Sequence, residues 1–318
     1  GTGEILFSQS GNRRSGGQTN YVQPVDGGTL TIGPGIRIYG QEGVVGTASL
    51  PLVNQGTIDS DSGQTIFVRG SSVTNAGGAL LASDGTLNVD NLTGNAGHAS
   101  VSAGSHLDLD GTYTVDQDLP VPQATLTLRG DWTNPSVIDA ADGTVTLQGT
   151  WSNAGTINAA NTALTLQGAW NNPGTIAATD ATVNLHGTFT QSDLGVFNRT
   201  GSNTVNINGT LENAGETLLL DAATTWRLNG GRINGGTVTG EVGNPLVISA
   251  GSTLDGVVLD ADVAMTAAGS SYYYTLTLTV VNGLTLNGRL TMTRSGYWDA
   301  GALNFSGDQT LGGTGEIL

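Results

Sequence analysis

Residues 125–181 read TLTLRGDWTNPSVIDAADG, TVTLQGTWSNAGTINAANT and ALTLQGAWNNPGTIAATDA, three segments that align without a gap at a spacing of 19. The aligned columns are Leu126/Val145/Leu164, Leu128/Leu147/Leu166, Gly130/Gly149/Gly168, Trp132/Trp151/Trp170, Asn134/Asn153/Asn172 and Ile138/Ile157/Ile176. Each segment opens on a polar-apolar-polar-apolar strand closed by glycine. That period of two places one face inside and the other in water. Helical periodicity of similar quality is absent. The unit is too short for a propeller blade and lacks the LxxLxLxxN pattern of leucine-rich repeats.

Looser copies extend the pattern in both directions. Downstream, units start at Thr182, Thr204 and Thr225; upstream, at Thr65, Thr86 and His106. Each has about 19–22 residues, a length that suits one solenoid turn. Regular coils therefore tile 65–244, with longer, irregular coils over 1–64 and looser ones over 245–318, in one continuous module. The expected fold is all-β, a right-handed parallel β-helix (β-solenoid) of about 19–22 residues per coil, because parallel crossovers are right-handed by default. Equivalent residues then stack on themselves at about 4.8 Å. Leu128, Leu147, Leu166, Leu185 and Ile207 should form an inward ladder, and Asn134, Asn153, Asn172 and Asn213 an amide ladder at a corner. The glycine column should turn another corner, where φ is positive or a side chain would collide.

Composition narrows the function. Charged residues make up 11% of the chain, against roughly a quarter in ordinary domains. The ten bases are all arginine, and the formal net charge of −16 repels nucleic acid and anionic membrane. Without lysine there is no Walker-type loop, Schiff base or Ser-Lys pair. Cysteine is absent, so no disulfide or thiolate site exists. No apolar run is long enough for a membrane helix, which needs roughly 18 residues or more. Beginning at Gly1 without a leader pattern, the chain reads as a processed or excised piece.

The strings TLTIGPG, VNQGTI, TLNVDNLTGNAG, GTYTV, GRINGGTV, GSTLDGVVLD, GLTLNGRLTM and LNFSGDQTLGGTGEIL complete the repeat vocabulary. In this style the chain resembles the large tandem β-helix proteins of bacterial cell surfaces, of the autotransporter-passenger and filamentous-haemagglutinin-like adhesin type. The resemblance implies export, an extracellular or cell-surface location and an adhesive or scaffolding role. It carries over no catalytic residue. Carbohydrate-binding surface β-helices and polysaccharide lyases or hydrolases are the alternatives.

The hexapeptide GTGEIL occurs twice, as Gly1, Thr2, Gly3, Glu4, Ile5 and Leu6 and as Gly313, Thr314, Gly315, Glu316, Ile317 and Leu318. An offset of 312 reads as a super-period of about 15 coils, a rod of order 70 Å. The two copies are expected to share one shape, so that further copies of the module associate head to tail, covalently or as subunits.

Candidate chemistry is sparse. His106, Asp108 and Asp110 share a strand face with Asp116 and Asp118 downstream, the kind of acidic cluster that could bind calcium or act as acid and base. Alternating Asp on a solvated strand face is the preferred explanation. Asp59 with Asp61, and Asp255 with Asp260 and Asp262, offer oxygen ligands without a calcium-repeat signature. His98, His106 and His186 lack metal spacing. No cofactor is expected. The Trp column, continued by Phe189, reads as a core stack or as an exposed sugar platform; both stay open. Outward threonines such as Thr125/Thr127 and Thr144/Thr146 suggest ice-lattice matching, but the rows break at Ala163, Asn184 and Asn206. The run Tyr272, Tyr273 and Tyr274 interrupts the period as a loop contact. Sequons at Asn91, Asn198, Asn208 and Asn304 are expected by accident in so Asn- and Thr-rich a chain.

Overall fold

A computed structural model describes residues 1–8, 20–269 and 274–318. The chain is a parallel β-solenoid of about 13 turns, without an α-helix among the described residues. It divides into two compact units, residues 1–163 with 171–177, and residues 164–170 with 178–318.

In the first unit the alternation fixes the geometry. A regular coil has three strands, Thr144–Leu147, Thr150–Asn153 and Thr156–Ala160. They stack on the preceding coil with Leu126 on Val145, Leu128 on Leu147, Trp132 on Trp151, Asn134 on Asn153 and Ile138 on Ile157. Every one of these pairings is parallel and joins the same repeat position in successive coils, so each column contacts its own kind. Leu126, Leu128, Ile138, Val145, Leu147 and Ile157 are fully buried. Each contributes roughly 1.5–3 kcal/mol by leaving water, and none could be buried by one coil alone.

The corner between first and second strands needs glycine twice over. Gly149 has φ +100°, and a Cβ there would stand 2.0 Å from the Gly130 carbonyl oxygen.

The second unit has coils of uneven length. Leu185 pairs with Ile207 and Ile207 with Leu228, and the neighbouring bonds Asn184–Asn206 and Asn208–Asn229 show the same displacements of 22 and 21. Further on, Val263 pairs with Leu290 and Leu290 with Ile317, with a displacement of 27 in each case. The surplus lies between first and second strands, which end at Ala267 and resume at Thr275. A short coil precedes these long ones, with Leu246 paired to Val263 at a displacement of 17.

The two hexapeptides do not occupy equivalent places, a correction to the expected shared shape. Gly3–Phe7 pairs with Ile36–Gly40, which stacks on Thr57–Ser60 and, through it, on Ala79–Ala82. That last strand is the third of its coil, following Gln64–Arg69 and Val73–Asn75. The second hexapeptide supplies Glu316–Ile317, which pairs with Arg289 and Leu290 in a first-strand position. The flanking residues decide. Phe7 is 3% exposed and fills the space beside Gly43, so it holds the first copy against the third face. In the second copy Gly315 lies where a Cβ would be 2.0 Å from the Gly288 oxygen, a corner contact.

Candidate functional site

The acidic cluster is built on the strand His106–Thr114, stacked under Thr125–Asn134. Asp108 is 8% exposed and receives two hydrogen bonds from Arg129, from Nε at 2.9 Å and Nη2 at 2.8 Å. Such bidentate pairs fix both partners. Burial pushes the Asp108 carboxyl above its ordinary value, opposed by Arg129. Burial likewise lowers His106, against the pull of Asp108, and its Nε2 lies 3.2 Å from the Thr127 hydroxyl. Asp116 accepts the Gly97 N–H at 2.8 Å and Asp118 the Val137 N–H at 3.0 Å, each 19 residues away. These carboxylates brace successive coils.

The other acidic groups are used alike. Arg37 Nη2 lies 2.9 Å from Asp59 and 2.8 Å from Asp61. Asp255 accepts from Arg232 and from Asn282, Asp260 from Asn287 and Asp262 from the Arg289 N–H. Among the described residues no group of three His, Asp or Glu is placed to hold a metal ion.

The tryptophan question closes in favour of the core. Trp132 and Trp151 are 1% and 3% exposed and stack at 5.2 Å and 9°, while Trp132 Nε1 donates to the Gln148 carbonyl at 3.2 Å. Tyr113 joins the column, paired with Trp132 in register, its centroid 6.4 Å away. In the second unit Trp170 stacks on Phe189 at 5.2 Å. Buried on all sides, these rings offer no platform. The aliphatic positions Leu128, Leu147, Leu166, Leu185 and Ile207 are all fully buried. Asn134 Nδ2 donates to Asn153 Oδ1 at 2.6 Å, and Asn153 in turn to Asn172. Asn54 and Asn75 repeat the motif at 2.9 Å. At Asn213 the partner is Gln191, 2.6 Å away. The substitution of Gln for Asn in a degenerate coil hides this rung from alignment. Tyr272 and Tyr273 lie outside the described residues, and Tyr274 is half-buried. Of the two GTGEIL copies, Ile5, Leu6, Ile317 and Leu318 are exposed.

One feature of the second unit is not foreshadowed by any motif. The third strand Val196–Thr200 ends its sheet, and its successor Thr217–Leu220 pairs only with Thr237–Gly240 on its far side. The two coils do join at both ends of this face, through Thr188–Phe189 on Thr210–Leu211 and through the Asn203 N–H on the Ala223 carbonyl at 3.2 Å. Between those joints a cleft of about 230 Å³ opens, lined by Gln191, Phe197, Arg199, Leu218, Leu219 and Trp226 among others. Its cause is local. The coil starting at Thr182 carries extra residues, folded as a 3-10 turn at Ser192–Leu194 that Asp193 ties to the Thr190 N–H at 2.7 Å. The alternate positions then hold Phe197 and Arg199 where a regular third strand has Ile157 and Ala159.

Comparison with known proteins adds no relative: no family model, curated protein or solved structure matches this chain.

Proposed function

We propose that this chain is a structural module of an extracellular fibre, filament or cell-surface adhesin of the tandem β-helix type, without enzymatic activity of its own. One observation supports the reading above the others. Six arginines are spent on stacking: Arg37, Arg69, Arg129, Arg199, Arg232 and Arg289 each pair with a carboxylate of an adjacent coil. A hydrolytic acid-base pair needs a carboxyl free to exchange its proton with substrate, and Asp108 is held by Arg129 instead. Partners of this reading are further copies of the same module.

Electron microscopy of the purified chain over a concentration series tests it. Filaments or end-joined particles are expected; single particles at every concentration, or recovery of the native protein from the cytosol on fractionation, would count against it. Incubation with pectin and alginate should release no unsaturated or reducing sugar above background. Release that disappears in Asp108→Ala would replace the structural reading with an enzymatic one.

A further inference from the structure

We propose that the third face between Val196–Thr200 and Thr217–Leu220 is a seam that opens and recloses locally while the coils around it stay folded, and that the Arg199–Asp221 ion pair is its latch. The same two coils are joined by backbone pairing on their other faces, Thr182–Leu185 with Thr204–Ile207 and Thr188–Phe189 with Thr210–Leu211. On the third face each strand is the last of its sheet, so two parallel edges meet without a ladder. A segment short of backbone hydrogen bonds to its neighbour opens at lower free energy than the ladders beside it. Hinges stand at both ends of the first wall, Gly195 at φ +57° and Gly201 at φ +73°. Residues of this kind absorb the change in backbone angle when a segment moves.

Two opposing effects set the balance. Closure is favoured by Arg199, whose Nη2 donates to Asp221 at 2.5 Å across the seam. Both ends of that bond are held by their own backbone. Arg199 Nη1 donates to the Phe197 carbonyl at 3.3 Å, and Asp221 Oδ1 accepts the Ala223 N–H at 3.0 Å. The pair therefore ties one wall to the other and not merely side chain to side chain. Its guanidinium also packs between two rings, 4.8 Å from the Phe197 centre and 5.6 Å from that of Trp226. Opening is favoured by what closure seals: Arg199 Nε and Trp226 Nε1 are buried without an acceptor. Native structures pair nearly all such donors, and opening admits water to them. Trp132 and Trp170, in regular coils, donate to the carbonyls of Gln148 and His186 and have no such reason to open. The third face has a second break, between His98–Val101 and Leu119–Pro122. There Pro120 and Pro122 have no N–H to give to a ladder, and neither strand seals an unpaired side-chain donor. The seam belongs to the single chain and is independent of whether copies assemble into fibres.

Hydrogen exchange of the whole chain, read by mass spectrometry on its peptides, tests both parts. In the parent chain Val196–Thr200 and Thr217–Leu220 should exchange at least about tenfold faster than Thr144–Leu147. Asp221→Asn keeps an oxygen for the Ala223 N–H and removes the charge, and should speed exchange at the two walls about tenfold further. Arg199→Gln should act in the same direction, and the double variant should add little to the faster single one. Asp108→Asn is the control. It breaks the two bonds from Arg129 where a ladder joins His106–Thr114 to Thr125–Asn134, and exchange there should stay within about twofold of the parent. Walls as slow as Thr144–Leu147 in the parent chain would overturn the seam, and that measurement needs no variant. Unchanged walls in Asp221→Asn, single-variant factors that multiply in the double variant, or a rise shared equally by Thr144–Leu147 would overturn the latch.

Discussion

The coils between residues 125 and 160 and those between residues 182 and 240 are built from the same repeat, yet they treat their polar groups differently. In the first stretch the displacement is 19 at every strand, and the buried columns keep their type: Trp on Trp, Asn on Asn, aliphatic on aliphatic. Satisfaction of one coil then satisfies the next. In the second stretch displacements of 22 and 21 carry small insertions, and the columns mix: Val205 meets Trp226, and Gln191 meets Asn213. Between Val196–Thr200 and Thr217–Leu220 a sheet is interrupted and two donors lose their acceptors. Strict periodicity keeps the coils in continuous register, and a small insertion opens a gap between two of them.

The largest effect is expected from Leu166→Asp, which places a charge at a fully buried position. The loss should be on the order of 5 kcal/mol, seen in circular dichroism as a collapsed or non-cooperative melt. A native spectrum with an unchanged melting point would remove Leu166 from the inward ladder.

Next comes Gly149→Ala, whose Cβ has to displace the Gly130 carbonyl from 2.0 Å at φ +100°. It should cost roughly 3 kcal/mol or more. Gly215→Ala in the degenerate stretch, at φ +81° with nothing within 4 Å, should cost only about 1–2 kcal/mol. Equal losses in thermal melts would show that conformation alone, and not the close approach of coils, dictates glycine at the corner.

Asn153→Ala interrupts an amide ladder between Asn134 and Asn172 and leaves buried groups on both sides. A loss of about 2 kcal/mol is expected, measurable by urea titration.

The smallest effect is one of pH. Burial lowers the folded pKa of His106, so the unfolded chain takes up a proton first as the solution is acidified. The contribution of the neutral ring is full above its unfolded pKa of about 6.5 and is lost as pH falls through that value towards the lower folded one. Asp108 works in the opposite sense: its raised folded pKa favours the native state in acid, and that advantage fades as pH rises from about 3.9 through the folded value. Between pH of about 7.5 and 5.5 the melting temperature should fall more for the parent chain than for His106→Gln. Parallel slopes would assign no titration in this window to His106.

The repeat itself is legible in the chain alone. Alternation in TVTL and ALTL, glycine at the sixth position and a constant spacing of 19 determined parallel stacking, the inward ladder of Leu128, Leu147, Leu166, Leu185 and Ile207, and the asparagine corner. These follow from local periods, which one sequence displays in full. Three matters depended on tertiary structure. The direction of the tryptophan column was one, because Trp at a second strand is consistent with either face until a neighbouring coil supplies Gln148 as acceptor. The position of GTGEIL was another, since six residues stack on a third strand or a first according to what flanks them, Phe7 in one case and the corner at Gly315 in the other. The last was the cleft at Arg199 and Trp226. Its walls come from separate coils whose register an insertion has shifted, and registers after an insertion are set by which backbones find partners across the coil, not by the spelling of either strand.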